Sequence, residues 1–189
     1  MKKKRKPKIK IKYGWLVLGV CFLALIQKEW KFEWIHNRAP TSDTEMRAYI
    51  DEYAQIAIKE REQHGIPASI TLAQGLLESQ AGRSALAIKT NNHFGIKCFL
   101  TTCPKGHCTN HPDDTHKDFF VIYKNPGESY RAHSKFLKKD RYLPLYQLAI
   151  SDYKGWAFGL SKAGYATDTQ YGQKLIRIIE KYQLYSLDR

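Results

Sequence analysis

Residues 67–82 constrain the fold most, because they have almost no polar face. Their sequence, PASITLAQGLLESQAG, is apolar or small at nearly every helical position, and Glu78 is the only charged side chain. A helix that is apolar on all sides is buried in a protein core. We therefore predict a buried helix, whose terminal carboxylate must be paired or lie in a cleft wall with a raised pKa.

Capping signals and apolar periodicity predict further helices around this one. Ser42 and Glu45 form a capping box, and Gly65 ends the helix that they start. Short β-like pieces are predicted at 94–99 and 119–123. Another helix is expected to start at Asn125, and two shorter ones are expected near 143–150 and 152–163. A final helix is expected after a cap at Asp168. We predict one α+β domain, mainly helical, over residues 43–189.

The N-terminal residues predict a membrane segment. Residues 2–12 hold eight basic side chains and no acid, and the fourteen residues 13–26 carry no charge. No small-x-small cleavage site follows them. We expect a cytoplasmic tail at 1–12, an anchor at 13–30 and a linker at 31–42; a cleaved signal and a buried core helix are the alternatives.

The net charge of +13 does not favour nucleic acid, because the tail carries most of it and leaves +5 for the rest. Glu78 has a chemical interpretation of its own. A carboxyl group that stays protonated near neutral pH can protonate a glycosidic oxygen. Structural burial is the ordinary alternative for such a residue.

Five ordered sequence blocks decide between these interpretations. They are AQGLLES at 73–79, GRSALA at 82–87, NNHFGIK at 91–97, ESYRAH at 128–133 and GYATD at 164–168. Together they resemble the peptidoglycan N-acetylglucosaminidase family, glycoside hydrolase family 73 of the flagellar and autolysin type. The resemblance implies a lysozyme-like helical fold, with a small β-lobe lining one side of a glycan groove.

The same resemblance implies roles for individual residues. Glu78 would be the general acid, and Tyr165 would line the subsite at the scissile bond. Asn92 and Phe94 would shape the groove, with Asp168 of the GYATD block also at the substrate. The reaction would hydrolyse the β-1,4 bond between N-acetylglucosamine and N-acetylmuramic acid, without a cofactor.

The second carboxylate of a glycosidase is harder to assign. Many family members carry a Glu on the β-lobe, where this chain has Asp113 and Asp114. Asp114 is the candidate catalytic partner, with Asp113 at the substrate, although Pro-Asp-Asp is also typical of a β-turn. Glu128 is explained as a capping partner. Without a second carboxylate, the substrate's own acetamido group would serve as the nucleophile.

Three cysteines, Cys98, Cys103 and Cys108, lie close to His107, His111 and His116. Their spacing matches no standard zinc motif. In an exported domain, a disulfide between two of the three is the simpler explanation. We predict this disulfide and no metal, and zinc is the alternative.

The predicted protein is a monomeric peptidoglycan hydrolase in the bacterial inner membrane, with its domain in the periplasm or cell wall, or else secreted. Its partners would be glycan strands and, through the anchor, the membrane, and not nucleic acid. A non-catalytic peptidoglycan-binding scaffold and a muramidase or lytic transglycosylase are the alternative functions.

Overall fold

The computed structural model describes residues 41–98, 104, 106–110 and 119–189. Within them the structure is mainly helical, with one antiparallel pair of short strands. The elements are α1 (Asp43–His64), α2 (Ala68–Ser79), α3 (Ala85–Thr90), β1 (Cys108–Asn110), β2 (Phe119–Val121), α4 (Pro126–Phe136), a first 3₁₀ helix (Asp140–Gln147), α5 (Tyr153–Lys162), α6 (Tyr171–Lys181) and a second 3₁₀ helix (Leu184–Asp188). The predicted α+β class is confirmed.

The central element is α2, as its sequence predicts. Every residue from 68 to 76 is buried, and the helix packs against α1, α5, α6 and the second 3₁₀ helix. Each of its fully buried Leu and Ile side chains contributes roughly 1.5–3 kcal/mol to folding. This segment therefore forms the core helix because its own side chains are apolar or small on nearly every face.

Two tyrosines cross α2 closely at Gly75. The Tyr130 hydroxyl donates to the Tyr49 hydroxyl at 2.9 Å, and the Tyr49 hydroxyl lies 2.8 Å from Nδ1 of His93. A Cβ atom on Gly75 would stand 2.6 Å from the Tyr49 oxygen and 2.9 Å from the Tyr130 oxygen. Glycine is required here so that α1 and α4 can approach the central helix.

The first turn of α2 is capped by the second 3₁₀ helix. Pro67 gives it no side-chain cap, but the Asp188 carboxylate accepts hydrogen bonds from the Ser69 amide at 2.9 Å and from the Ser69 hydroxyl at 2.5 Å. A negative group at a helix N-terminus also interacts favourably with the helix dipole. The start of the central helix thus depends on a residue 119 positions later in the chain.

Most helix ends follow the predicted signals. The capping box of Ser42 and Glu45 is complete, and Gly65 ends α1 in a left-handed conformation. Asn125 caps α4, while the Glu128 carboxylate accepts from the Lys124 amide at 3.0 Å, which confirms its capping role.

The predicted cap of the last helix is wrong. Asp168 lies before α6, where its carboxylate accepts from the Gln170 amide and pairs with Lys174. Such a local turn competes with the capping position, so Gln170 becomes the N-cap residue. The helix expected near 143–150 is a 3₁₀ helix that starts earlier and contains Pro144, whose nitrogen cannot donate.

The β region differs from the prediction in one strand. β2 lies within the predicted 119–123 piece. Of the predicted 94–99 piece, residues 94–98 are described, and they contain an isolated bridge from Lys97 to Phe120 and no strand. β1, which was not predicted, pairs Cys108 with Val121 and Thr109 with Phe120. A three-residue strand carries too little periodicity to be recognised alone.

Residues 1–40, and with them the predicted tail, anchor and linker, lie outside the described residues. Among the helices in the described part of the chain, none combines the length and apolar composition that crossing a membrane requires.

Candidate active site

Glu78 lies in the last turn of α2, where the helix leaves the core. The residues before Leu77 are buried, whereas the Glu78 side chain is exposed. Gln80 and Ala81, which follow it, have φ values of 53° and 54°, in the left-handed region. Such conformations cost about 1 kcal/mol or more for residues other than glycine and are frequent near functional sites. This turn leads the chain away from the end of α2, and the Glu78 carboxylate stays at the surface.

Tyr171 binds the Glu78 carboxylate, and Gln74 in turn binds Tyr171. The Tyr171 hydroxyl donates to Oε1 of Glu78 at 2.8 Å, and Nε2 of Gln74 donates to the Tyr171 oxygen at 2.9 Å. Gln74 is one helical turn before Glu78 on the same face of α2. Because Gln74 occupies the acceptor side of the phenol, the Tyr171 proton points to Glu78.

Burial of Tyr171 raises the pKa of its phenol well above the ordinary value, and the neighbouring Tyr165 and Glu78 raise it further. The Tyr171 side chain is only 3% exposed. It therefore remains a neutral donor across the pH range in which proteins are folded, and Glu78 receives this hydrogen bond whenever it is ionised.

Tyr165, from the GYATD block, lies beside this pair. Its half-buried ring stacks on Tyr171 with centroids 5.4 Å apart and meets His133 edge-on at 6.0 Å. Burial, followed by the charge of Glu78, raises the pKa of the Tyr165 phenol well above its ordinary value. The structure thus brings Glu78, Tyr165 and Tyr171 together.

Asn92, which was predicted to shape the groove, is a buried residue in the segment that follows α3. It is 1% exposed, and its amide donates to the carbonyls of Ile96 and Val121, both at 3.0 Å, and accepts from the Ile96 amide. These bonds tie β2 to the segment that follows α3. Asn92 therefore holds this backbone, and these three bonds occupy its amide group. Its predicted part in shaping the groove stays a prediction.

Phe94 is also buried, and its ring stacks on His133 with centroids 4.1 Å apart. His133 is fully buried, burial lowers its pKa to about 3, and neither ring nitrogen has a hydrogen-bond partner among the described residues. Phe94 and His133 form the packed support behind Tyr165.

Of the remaining acidic candidates, the structure describes only Asp168. Asp113 and Asp114 lie outside the described residues. Asp168 is bound to the Gln170 amide and to Lys174, and the hydrogen bond from Lys174 lowers the pKa of its carboxyl group. The identity of a second carboxylate stays a prediction.

Known proteins match most of this chain. The glucosaminidase family model, described as mannosyl-glycoprotein endo-beta-N-acetylglucosaminidase, matches residues 54–184. The chain belongs to the glucosaminidase family. The family resemblance of the five sequence blocks is thereby confirmed.

Individual relatives also support membership of the glucosaminidase family. The exo-glucosaminidase LytG of Bacillus subtilis is 35% identical over 158 residues, which cover 76% of this chain and 54% of that protein. A solved N-acetylmuramoyl-L-alanine amidase of Staphylococcus aureus has a TM-score of 0.64 at 30% identity, covering 79% of this chain and 44% of the other.

The glycoside hydrolase domain of FlgJ from Salmonella typhimurium has a TM-score of 0.59 at 27% identity, covering 75% of this chain and 90% of that one. These likenesses confirm the mainly helical, lysozyme-like fold. The chain spans about half, or less, of the length of the curated relatives that it matches.

Tyr171 of the glucosaminidase domain was not predicted as a site residue from the sequence. A signal was present, because the hydroxyl of a buried tyrosine normally needs a hydrogen-bond partner. What the sequence lacks is the identity of that partner, which is 93 positions away.

The cysteine region of the glucosaminidase domain contains the predicted disulfide. Cys98 and Cys108 are bonded to each other, which confirms a bridge between two of the three cysteines. Cys103 lies outside the described residues. His107 is exposed, and its Nδ1 is 3.1 Å from the Cys108 sulfur and 4.0 Å from the Cys98 sulfur.

Proposed function

We propose that this chain is a glycoside hydrolase that cleaves the β-1,4 bond between N-acetylglucosamine and N-acetylmuramic acid in peptidoglycan. The observation that carries the proposal is the exposed Glu78 carboxylate, delivered by a buried helix and held by the Tyr171 hydroxyl. Family membership and relatives named glucosaminidase and peptidoglycan hydrolase support the substrate class.

In the proposed reaction, Glu78 donates its proton to the glycosidic oxygen as the bond to the anomeric carbon breaks. The leaving sugar departs as an alcohol. In a retaining or substrate-assisted reaction, Glu78 then recovers a proton from the attacking water; in an inverting reaction, the second carboxylate takes the proton of that water and Glu78 is reprotonated from solvent. Tyr165 offers an aromatic ring, which packs favourably on the apolar face of a sugar. Tyr171 is a positioning residue, because it acts on the substrate only through Glu78.

The positive charge that develops at the anomeric carbon needs a partner. Asp114, or else Asp113, takes this role if it lies about 5–5.5 Å from Glu78 for retention or about 6.5–9.5 Å for inversion. Where neither reaches the site, the 2-acetamido group of the substrate attacks the anomeric carbon itself.

The proposed location follows from the N-terminal sequence. Eight basic residues before a fourteen-residue uncharged run support an anchor with its tail in the cytoplasm and the enzyme outside. The net charge of +5 on the rest of the chain also attracts an anionic wall polymer at low salt.

The test compares three forms of the full chain in detergent on purified peptidoglycan: wild type, Glu78→Gln and Glu62→Gln. Glu62 is a surface residue of α1, with 60% of its side chain exposed, and provides the matched control. Released fragments are reduced with borohydride and identified by mass spectrometry. We expect reduced N-acetylglucosamine ends from the wild type and Glu62→Gln, and none from Glu78→Gln.

Other products would assign another function. Reduced muramic ends would make the protein a muramidase, and anhydro-muramic ends would make it a lytic transglycosylase. Binding to the wall without any release by the wild type would favour a scaffold.

A further inference from the structure

Three side chains of metal-binding type lie on β1 and on the segments beside it, and the proposed glycosidase chemistry does not use them. The sulfurs of Cys98 and Cys108 and a ring nitrogen of His107 all lie within 4.8 Å of one another. We propose that, when the disulfide is reduced, these three side chains bind a zinc ion.

The distances fit a tetrahedral ion. With Zn–S near 2.3 Å and Zn–N near 2.0–2.1 Å, a sulfur and a nitrogen on one zinc are ~3.6 Å apart. Nδ1 of His107 lies 3.1 Å from one sulfur and 4.0 Å from the other. These two values bracket the required separation, so only small side-chain rotations are needed.

The backbone already holds the three ligands together. The Cys98 amide donates to the Phe119 carbonyl, Cys108 pairs with Val121, and the Ile122 amide donates to the His107 carbonyl. All three are therefore anchored on β2 or the residue after it. Their arrangement does not depend on the disulfide alone.

The α-carbons of Cys98 and Cys108 are 6.3 Å apart. Disulfides occur at about 4.4–6.8 Å, so this pair stands near the wide end of that range. Two thiolates on one zinc need their sulfurs ~3.8 Å apart. Reduced side chains can reach that separation from this backbone by rotating about their Cα–Cβ bonds.

The disulfide and the metal exclude each other, because a sulfur in a disulfide has no thiolate to donate. A dithiol reductant transfers two electrons and two protons to the bridge and leaves as its own disulfide. Zn²⁺ then displaces the two thiol protons, and His107 binds through its neutral Nδ1. The fourth position is left for water or another donor.

The test uses the full chain in detergent, in oxidised form and after treatment with a dithiol under nitrogen. Both forms are incubated with zinc sulfate, desalted and assayed for zinc by mass spectrometry, while Ellman's reagent counts the thiols. We expect two additional thiols and one additional zinc per chain in the reduced form. Reduction that gains the thiols but retains no zinc would overturn the proposal.

Variants locate the ion. Cys98→Ser/Cys108→Ser should lose the additional zinc entirely, and His107→Asn should bind it at least tenfold more weakly in competition with a chelator. Thr109→Ser, on the same strand, is the matched control and should retain it. An unchanged zinc content in the double cysteine variant would place the ion elsewhere.

Cobalt provides a readout that does not depend on the variants folding. Reduced wild-type protein with Co²⁺ should show the thiolate charge-transfer band and the intense visible bands of tetrahedral cobalt, and oxidised protein should show neither. Weak octahedral bands in the reduced form would also refute the site.

Discussion

Acidification should destabilise this fold through His133. Burial lowers the pKa of His133 to about 3, against 6.5 for an exposed histidine, and its side chain is 0% exposed. Below pH 6.5 the unfolded chain binds a proton that the folded chain excludes, so stability falls as the pH falls from there to about 3.

The magnitude follows from linkage. Between pH 7.5 and pH 5.5, the folded form of His133 stays neutral while the unfolded form becomes about nine-tenths protonated. The free energy of unfolding should therefore drop by about 1.4 kcal/mol on account of this one residue. With a urea slope of about 2 kcal/mol/M, the unfolding midpoint shifts by about 0.7 M.

The assay is urea unfolding of the wild type and His133→Leu, followed by circular dichroism at both pH values. The leucine variant cannot titrate at this position, while His93, whose pKa burial lowers to about 4, remains in both proteins and cancels. The wild type should lose about 1.4 kcal/mol more than the variant. Equal losses in the two proteins would show that His133 is protonated in the folded state or that its burial is wrong.

Three further substitutions test the site and its framework. Tyr171→Phe removes the hydroxyl that binds Glu78. Because a hydrogen bond to a charged group is lost, kcat on peptidoglycan should fall roughly 10- to 100-fold with little change in KM. An unchanged kcat would contradict the positioning role of Tyr171. Gly75→Ala places a Cβ atom against Tyr49 and Tyr130. It should lower the free energy of unfolding by about 1–3 kcal/mol in a urea titration. An unchanged free energy of unfolding would mean that α1 can move away from α2. Asn92→Ala removes three hydrogen bonds and should cost about 2–3 kcal/mol, with faster hydrogen exchange at the Ile96 amide; unaltered exchange there would show that another group holds this segment.

Local chemistry made part of the fold predictable. The Ser42 and Asn125 caps, the left-handed Gly65 and the apolar residues of α2 each depend on near neighbours in the chain. Those features can be deduced from residue spacing alone. Glu78 could be chosen as a candidate for the same reason, because it is the one charge in an otherwise apolar stretch, and its catalytic role stays a proposal.

Features that depend on distant residues could not be deduced in this way. The wrong cap at Asp168 is an exception with a local cause, because the Gln170 amide and Lys174 both bind its carboxylate. β1 exists through its pairing with β2, across a segment that carries little periodicity. The partner of Tyr171 and the cap supplied by Asp188 both require the folded chain.

The contact between Ser69 and Asp188 has a consequence for biosynthesis. As the chain emerges from the ribosome, the hydrophobic segment of α2 appears long before the residue that completes its first turn. The helix that bears Glu78 is therefore fastened at its start only after another 119 residues have been synthesised. Until Asp188 is made, the amide and hydroxyl of Ser69 lack the carboxylate that binds both of them, so the first turn of this helix is completed late in synthesis.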